Sequence, residues 1–127
     1  MTRQAVSTTG APVAIGPYSQ GIVVDGFVFC SGQVGLDPST GELVEGGVEA
    51  ETERAIRNLS AVLDAAGMTM ADVVKTSVFL ADIGDFAAMN AVYGRFMTDP
   101  PPARSTFAVG ALPRGARVEI EAIARRA

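Results

Sequence analysis

A chain of 127 residues has room for one hydrophobic core and not for two. Ten basic against 14 acidic residues give a net charge of −4 with no Lys/Arg cluster, which argues against a surface that tracks nucleic-acid phosphates. The absence of histidine removes Ser-His and Cys-His nucleophilic pairs and His-based metal sites in one step.

In chain order, MTRQAVSTTG shows no apolar run resembling a secretion signal. Nowhere do roughly 18 apolar residues follow one another, so a cytoplasmic chain with no membrane partner is expected. GPYSQG (16–21) is loop chemistry that carries one of the two tyrosines, Tyr18, whose place could be core, rim or ligand contact. Residues 21–25 and 27–34 are β-rich and separated by Gly26, which predicts a hairpin. Its second strand holds Cys30, the only cysteine, so no intrachain disulfide can form and the thiol is expected to pack as a small core residue. SGQ (31–33) predicts a bulge or a close backbone approach at Gly32, and DPSTGE (37–42) predicts a turn.

From Glu51 to Ala66 the period changes. Ala55, Ile56, Leu59, Val62, Leu63 and Ala66 recur at helical spacing, and Gly67 is placed to end the helix. Residues 73–81 return to strand chemistry. Asp85 can then cap a second helix with Phe86, Met89, Tyr93, Phe96 and Met97 on its apolar stripe, stopped by Pro100. Residues 103–109 and 117–124 read as a closing hairpin around Leu-Pro-Arg-Gly. The order ββ-α-β-α-ββ, with room for a further N-terminal strand, gives a single domain over 1–127 whose one sheet carries two helices on one face. Two helices cannot cover both faces, and the mean hydropathy of +0.28 is high for so short a soluble chain. An oligomer packed through the open face is the economical answer.

Several polar residues admit two readings. Arg104, after three prolines, is either a solvent-facing strand residue or a rigid fork for a carboxylate. Period 2 in RVEIEAIA (117–124) places Val118, Ile120 and Ala122 on one face and Glu119, Glu121 and Ile123 on the other. Either glutamate is an ordinary outward carboxylate or a partly buried proton carrier, and periodicity does not choose between them. Asn90 sits on the apolar stripe of its helix, where its amide needs either backbone partners or a pocket to line. In the predicted closing hairpin, Arg104 and Glu119 of one chain share a face only if opposed residues have an odd index sum. An even sum requires them to meet from different subunits.

Taken in order, GPYSQ (16–20), SGQ (31–33), VKTSVFL (74–80), Asn90 in MNAVYGRF (89–96), PARS (102–105) and VEIEAIA (118–124) resemble the RidA (YjgF/UK114) family of reactive-intermediate deaminases. The resemblance runs from about residue 12 to the C-terminus. It implies a chorismate-mutase-like α+β fold, a single mixed sheet with two helices on one face, assembled as a homotrimer with sites at the subunit interfaces. It implies hydrolysis of 2-imino acids, such as those released by PLP-dependent dehydratases, to 2-oxo acids and ammonia, without a cofactor. Matched residue by residue, the carboxylate-binding arginine falls on Arg104 and the acidic residue acting on water on Glu119. Tyr18, Ser31 with Gly32, and Asn90 fall on the remaining pocket positions.

The chemistry suits these residue types. An imine carbon is already electrophilic, so a clamp for the carboxylate, one placed water and one proton carrier are enough. Two departures from the family pattern bear on the pocket. Thr106 stands where deaminase members often have cysteine, and TDPPPARS is shorter than the corresponding loop. Thr106 therefore joins the substrate-binding positions, and a module of the same fold that binds small carboxylates without turnover is the alternative.

Overall fold

The computed structural model describes residues 2–126. Its strands are β1 (Gln4–Val6), β2 (Gly21–Val24), β3 (Phe27–Val34), β4 (Val73–Leu80), β5 (Ala103–Ala108) and β6 (Val118–Arg125). Two helices, α1 (Gly47–Ala65) and α2 (Phe86–Phe96), complete the α+β fold. The strands form one sheet in the order β1-β2-β3-β6-β4-β5. All ladders are antiparallel except β4 with β5, so the sheet is mixed, as expected.

The first hairpin is set by its turn. Val24 pairs with Phe27, and the two residues between, Asp25 and Gly26, both have positive φ (52° and 78°), the signature of a type I′ connection. Helix α1 begins four residues before the expected Glu51, and α2 ends at Phe96, with Met97 already extended. Asp85 stands at the N-cap of α2 without a side-chain capping bond; Asp82, one turn earlier, accepts from the Gly84 amide instead.

Both helices lie on one face. There Val118, Ile120, Ala122 and Ala124 of β6 are at most 2% exposed and meet Ile56, Leu59 and Leu63 of α1 and Met89 of α2. Each of the Val, Ile, Leu and Met side chains, fully buried, contributes about 1.5–3 kcal/mol of transfer free energy. Cys30 is in this core, and burial pushes its thiol up to about 12. The opposite face is uncovered: Phe29 and Phe107 are 44% and 49% exposed, with Ile123 and Phe79 partly so.

The predicted closing hairpin does not form. β6 inserts between β3 and β4, while β5 lies parallel to β4 at the sheet edge. Burial explains the exchange. Every inward position of β6 is buried, as a central strand requires, whereas no residue of β5 is. A helix between β4 and β5 also makes them a strand–helix–strand unit, whose natural outcome is parallel pairing.

Candidate active site

The register decides where the two charged residues point. Arg104 pairs with Thr76, which faces the helices, and Glu119 pairs with Phe79, which faces away from them. Arg104 and Glu119 of one chain therefore lie on opposite faces of the sheet. The odd-or-even test for a hairpin has no pair to act on, and β4 supplies the answer instead.

On the open face, the strand bulges between Cys30 and Gln33, so Ser31 and Gly32 together oppose one residue of β6. The expected close approach is at Gly32. A Cβ there would stand 2.8 Å from Glu119 Oε2 and 2.9 Å from its Cδ, so the missing side chain is the room the carboxylate occupies. Glu119 is partly buried and makes no hydrogen bond or ion pair with any described residue. Desolvation, and secondarily the neighbouring charge of Glu121, raise its pKa above the ordinary 4.5. Glu121 points the same way but is exposed, and it was the choice between these two that periodicity left open.

Glu119, Gly32 and Tyr18 line one cleft of about 140 Å³, together with Gln33, Pro113 and Arg114. A larger groove of about 560 Å³ beside the N-terminal strand has no Asp, Glu, Lys or Arg in its lining, so size and chemistry part company here. Ser31 is at the bulge, but its hydroxyl donates to the Ser19 carbonyl at 2.6 Å and holds the loop that carries Tyr18. That loop has a second anchor. The buried Gln20 accepts from the Thr8 amide at 2.7 Å, and its Nε2 donates to the carbonyls of Thr8, Ala11 and Pro12 at 3.0, 3.3 and 2.8 Å. The start of β6 is pinned from α1, where the buried Glu51 accepts from the Arg117 amide at 2.8 Å.

On the helix face, Arg104 lies over two rings of α2, with Cζ 4.8 Å from the centroid of Tyr93 and 5.6 Å from that of Phe86. No described residue pairs with it or accepts a hydrogen bond from it. Thr106, two residues along, faces the same way through its pairing with Val78. Thr106 Oγ1 and Asn90 Oδ1 are the two buried side-chain polar atoms left without a partner among the described residues. For Asn90 this removes the backbone-bonding reading at that atom. The predicted residues thus fall into two groups: Tyr18, Gly32 and Glu119 on the open side, and Arg104, Thr106 and Asn90 on the helix side.

The family model described as Endoribonuclease L-PSP matches residues 8–126. The chain belongs to this family, the RidA (YjgF/UK114) family. The mouse 2-iminobutanoate/2-iminopropanoate deaminase is 55% identical over 122 residues, covering 96% of this chain and 90% of its own. The solved structure of RidA from an Antarctic Psychrobacter superposes with a TM-score of 0.93 at 45% identity, covering 97% of this chain and 99% of that one. E. coli TdcF with bound serine gives a TM-score of 0.91 at 40% identity, covering 98% and 99%.

Within this RidA-family chain, residue-by-residue reading missed Gln20, Gln33 and Arg114 in the clefts. Gln20 and Gln33 are both 6% exposed, and only tertiary contact reveals that. Arg114 offered a faint signal as a cation in a Pro-Arg-Gly turn; it adopts φ 61° and donates to the Gly41 carbonyl at 3.0 Å. No described helix is long and apolar enough to cross a membrane, and no described cluster of three or more His, Cys, Asp or Glu could hold a metal ion.

Proposed function

We propose that the chain hydrolyses 2-imino acids to 2-oxo acids and ammonia, in sites built from the Glu119 side of one subunit and the Arg104 side of the next. The observation that carries this reading is the Glu119 carboxylate: desolvated, unpaired, raised in pKa, and seated where Gly32 leaves room for it. Naming of close relatives as 2-iminobutanoate/2-iminopropanoate deaminases supports the substrate class.

The steps balance without a cofactor. Arg104 holds the substrate carboxylate through its unused N–H fork. Glu119 takes a proton from water as the water oxygen bonds to the carbon of the protonated imine, whose C=N π electrons move to nitrogen and leave a neutral amine. The same carboxyl then returns that proton to the amine. The C–N bond breaks as the hydroxyl oxygen's electrons form C=O, the hydroxyl proton passes to the Glu119 carboxylate and on to solvent, and ammonia leaves with the 2-oxo acid remaining. A carboxylate raised toward neutrality is a better base for the first step and a sufficient acid for the second. Tyr18 walls the cleft, and Asn90 and Thr106 supply unpaired polar atoms on the Arg104 side.

Composite sites follow from a face and an edge. The Glu119 group lies on the uncovered apolar face, and Arg104 and Thr106 lie on the outermost strand, with Asn90 on the adjoining α2. A face of one copy meeting the edge of the next is a head-to-tail contact, which closes into a ring when the rotation between copies divides a full turn; the trimer is the ring this reading takes.

The test generates 2-iminobutanoate in situ and follows 2-oxobutanoate with and without the protein. Acceleration that disappears in Arg104→Ala supports the reading, and no acceleration at any enzyme concentration ends it. A second reading, capture of a small carboxylate without turnover, draws on the serine held by TdcF. It requires thermal stabilisation by 2-oxobutanoate that survives Glu119→Gln alongside absent turnover. RNA cleavage, which the family description names, finds neither a histidine nor a positive net charge here.

A further inference from the structure

The apolar stripe of α2 contains one residue that does not behave as core. Phe86 is 36% exposed, whereas Met89 and Tyr93 on the same stripe are 0% and 5% exposed. Phe86 and Tyr93 are seven residues apart, two helical turns, so their rings stand in line on one face with Asn90 between them. The guanidinium of Arg104 lies over both. Tyr93 is itself fixed: its hydroxyl shares a hydrogen bond of 2.6 Å with Thr76 Oγ1, and Thr76 is the β4 residue paired with Arg104.

We infer that Phe86 and Tyr93 are positioning residues that hold the Arg104 fork ready for a carboxylate while leaving all its donors free. This rests on the carboxylate-clamp reading of Arg104 and adds how the clamp is kept in place. The physical point is which part of the guanidinium is used. A protein carboxylate would fix an arginine by occupying its N–H fork, the same donors a substrate needs. Aromatic rings attract the cation through their quadrupole and take none of those donors. Ring contact therefore restricts the side chain without competing with the ligand. The Thr76–Tyr93 bond carries the restriction into the sheet, at the ladder position from which Arg104 itself springs.

Phe86 is the residue to change, because its exposure makes Phe86→Leu tolerable to the fold. Loss of the ring returns rotamer freedom that binding must then remove, which corresponds to roughly three- to ten-fold in affinity. In the intact protein, Phe86→Leu is expected to raise the KM for 2-iminobutanoate and the Kd for 2-oxobutanoate by the same factor. The kcat stays within about twofold, because an interaction equal in ground and transition states has been weakened. Binding of the neutral analogue 2-oxobutanamide and the thermal midpoint do not change, and Phe86→Trp restores the affinity. In an Arg104→Ala background, Phe86→Leu has no further effect.

Equal weakening of the acid and the amide, or a Phe86→Leu effect that persists without Arg104, overturns the inference. An unchanged Kd in Phe86→Leu alongside a weakened one in Arg104→Ala removes the inference and leaves the clamp standing. If Arg104→Ala leaves the Kd unchanged, the clamp reading fails and the positioning role falls with it.

Discussion

Arg104 and Glu119 stand on opposite faces of one sheet, the first beside Thr76 on the helix side and the second beside Phe79 on the open side. If they serve one substrate, they come from two copies. Subunits carrying Arg104→Ala and subunits carrying Glu119→Gln, each inactive alone, should regain activity when unfolded and refolded together. Random assembly of equal amounts leaves both groups intact in about a quarter of the sites, the product of two halves. A mixture as inactive as its components would mean that the two residues do not serve one substrate.

Arg104→Lys keeps the charge and loses the planar fork. It should lower kcat/KM for 2-iminobutanoate by about ten- to a hundredfold, the worth of a charge-assisted bidentate contact. Retention of most of the activity would mean that a point charge suffices.

Glu119→Gln should lower kcat by about a hundredfold or more, with Glu121→Gln far milder. The acid limb of kcat/KM should lie above the ordinary carboxylate value of 4.5, because the base must be ionised and its pKa is raised. Glu121 contributes to that rise through its charge, so Glu121→Gln should move the limb to lower pH. Profiles of the two proteins over the acid range make the comparison.

Gly32→Ala probes the room left for the carboxylate. Its backbone has no positive φ to strain, but the added methyl would meet Glu119 Oε2 at 2.8 Å. The carboxylate must swing away, and a displacement of that size costs on the order of a hundredfold in rate. The thermal midpoint should change little, since the displaced group is the end of a side chain.

The same carboxylate weakens the fold at neutral pH. Its pKa is higher in the folded than in the unfolded chain, so the unfolded chain releases the proton first as pH rises. The penalty is absent below 4.5 and complete above the raised folded value. Glu119→Gln should therefore raise the midpoint of thermal unfolding near about pH 7.5 and leave it unaltered near about pH 4. A shift of equal size at both would indicate packing rather than charge.

Much of the fold could be read from the residues because facing is a local property. Alternation in 118–124 separated Val118, Ile120 and Ala122 from Glu119 and Glu121, and burial follows that alternation. Neighbourhood is not local. Nothing in the spacing of 103–109 and 117–124 says that β6 slides between β3 and β4, because the nearest strand in sequence is not the nearest in space. The helix between β4 and β5 is the one sequence feature that points to their parallel pairing. Polar residues in the core misled for a related reason. Asn58, a polar residue in the middle of α1, is fully buried and donates to the Val34 and Leu36 carbonyls at 3.2 and 2.9 Å. Its partners lie more than 20 residues away, beyond any pattern a helix can show. The motif positions were legible one at a time, but their division between two sides of the sheet needed the register.

One amide has a consequence for how such a pocket can change. The segment from Thr8 to Tyr18 contains no helix or strand, yet it forms a wall of the cleft. Gln20 ties it to the scaffold through Thr8, Ala11 and Pro12. Residues 13–18 beyond that knot include Val13 and Ile15, 76% and 72% exposed, which carry almost none of the core. Val13 and Ile15 can be exchanged or resized while the tether and the sheet stay as they are. One wall of the cleft can thus vary in size and polarity without disturbing Gly32 and Glu119 on the other.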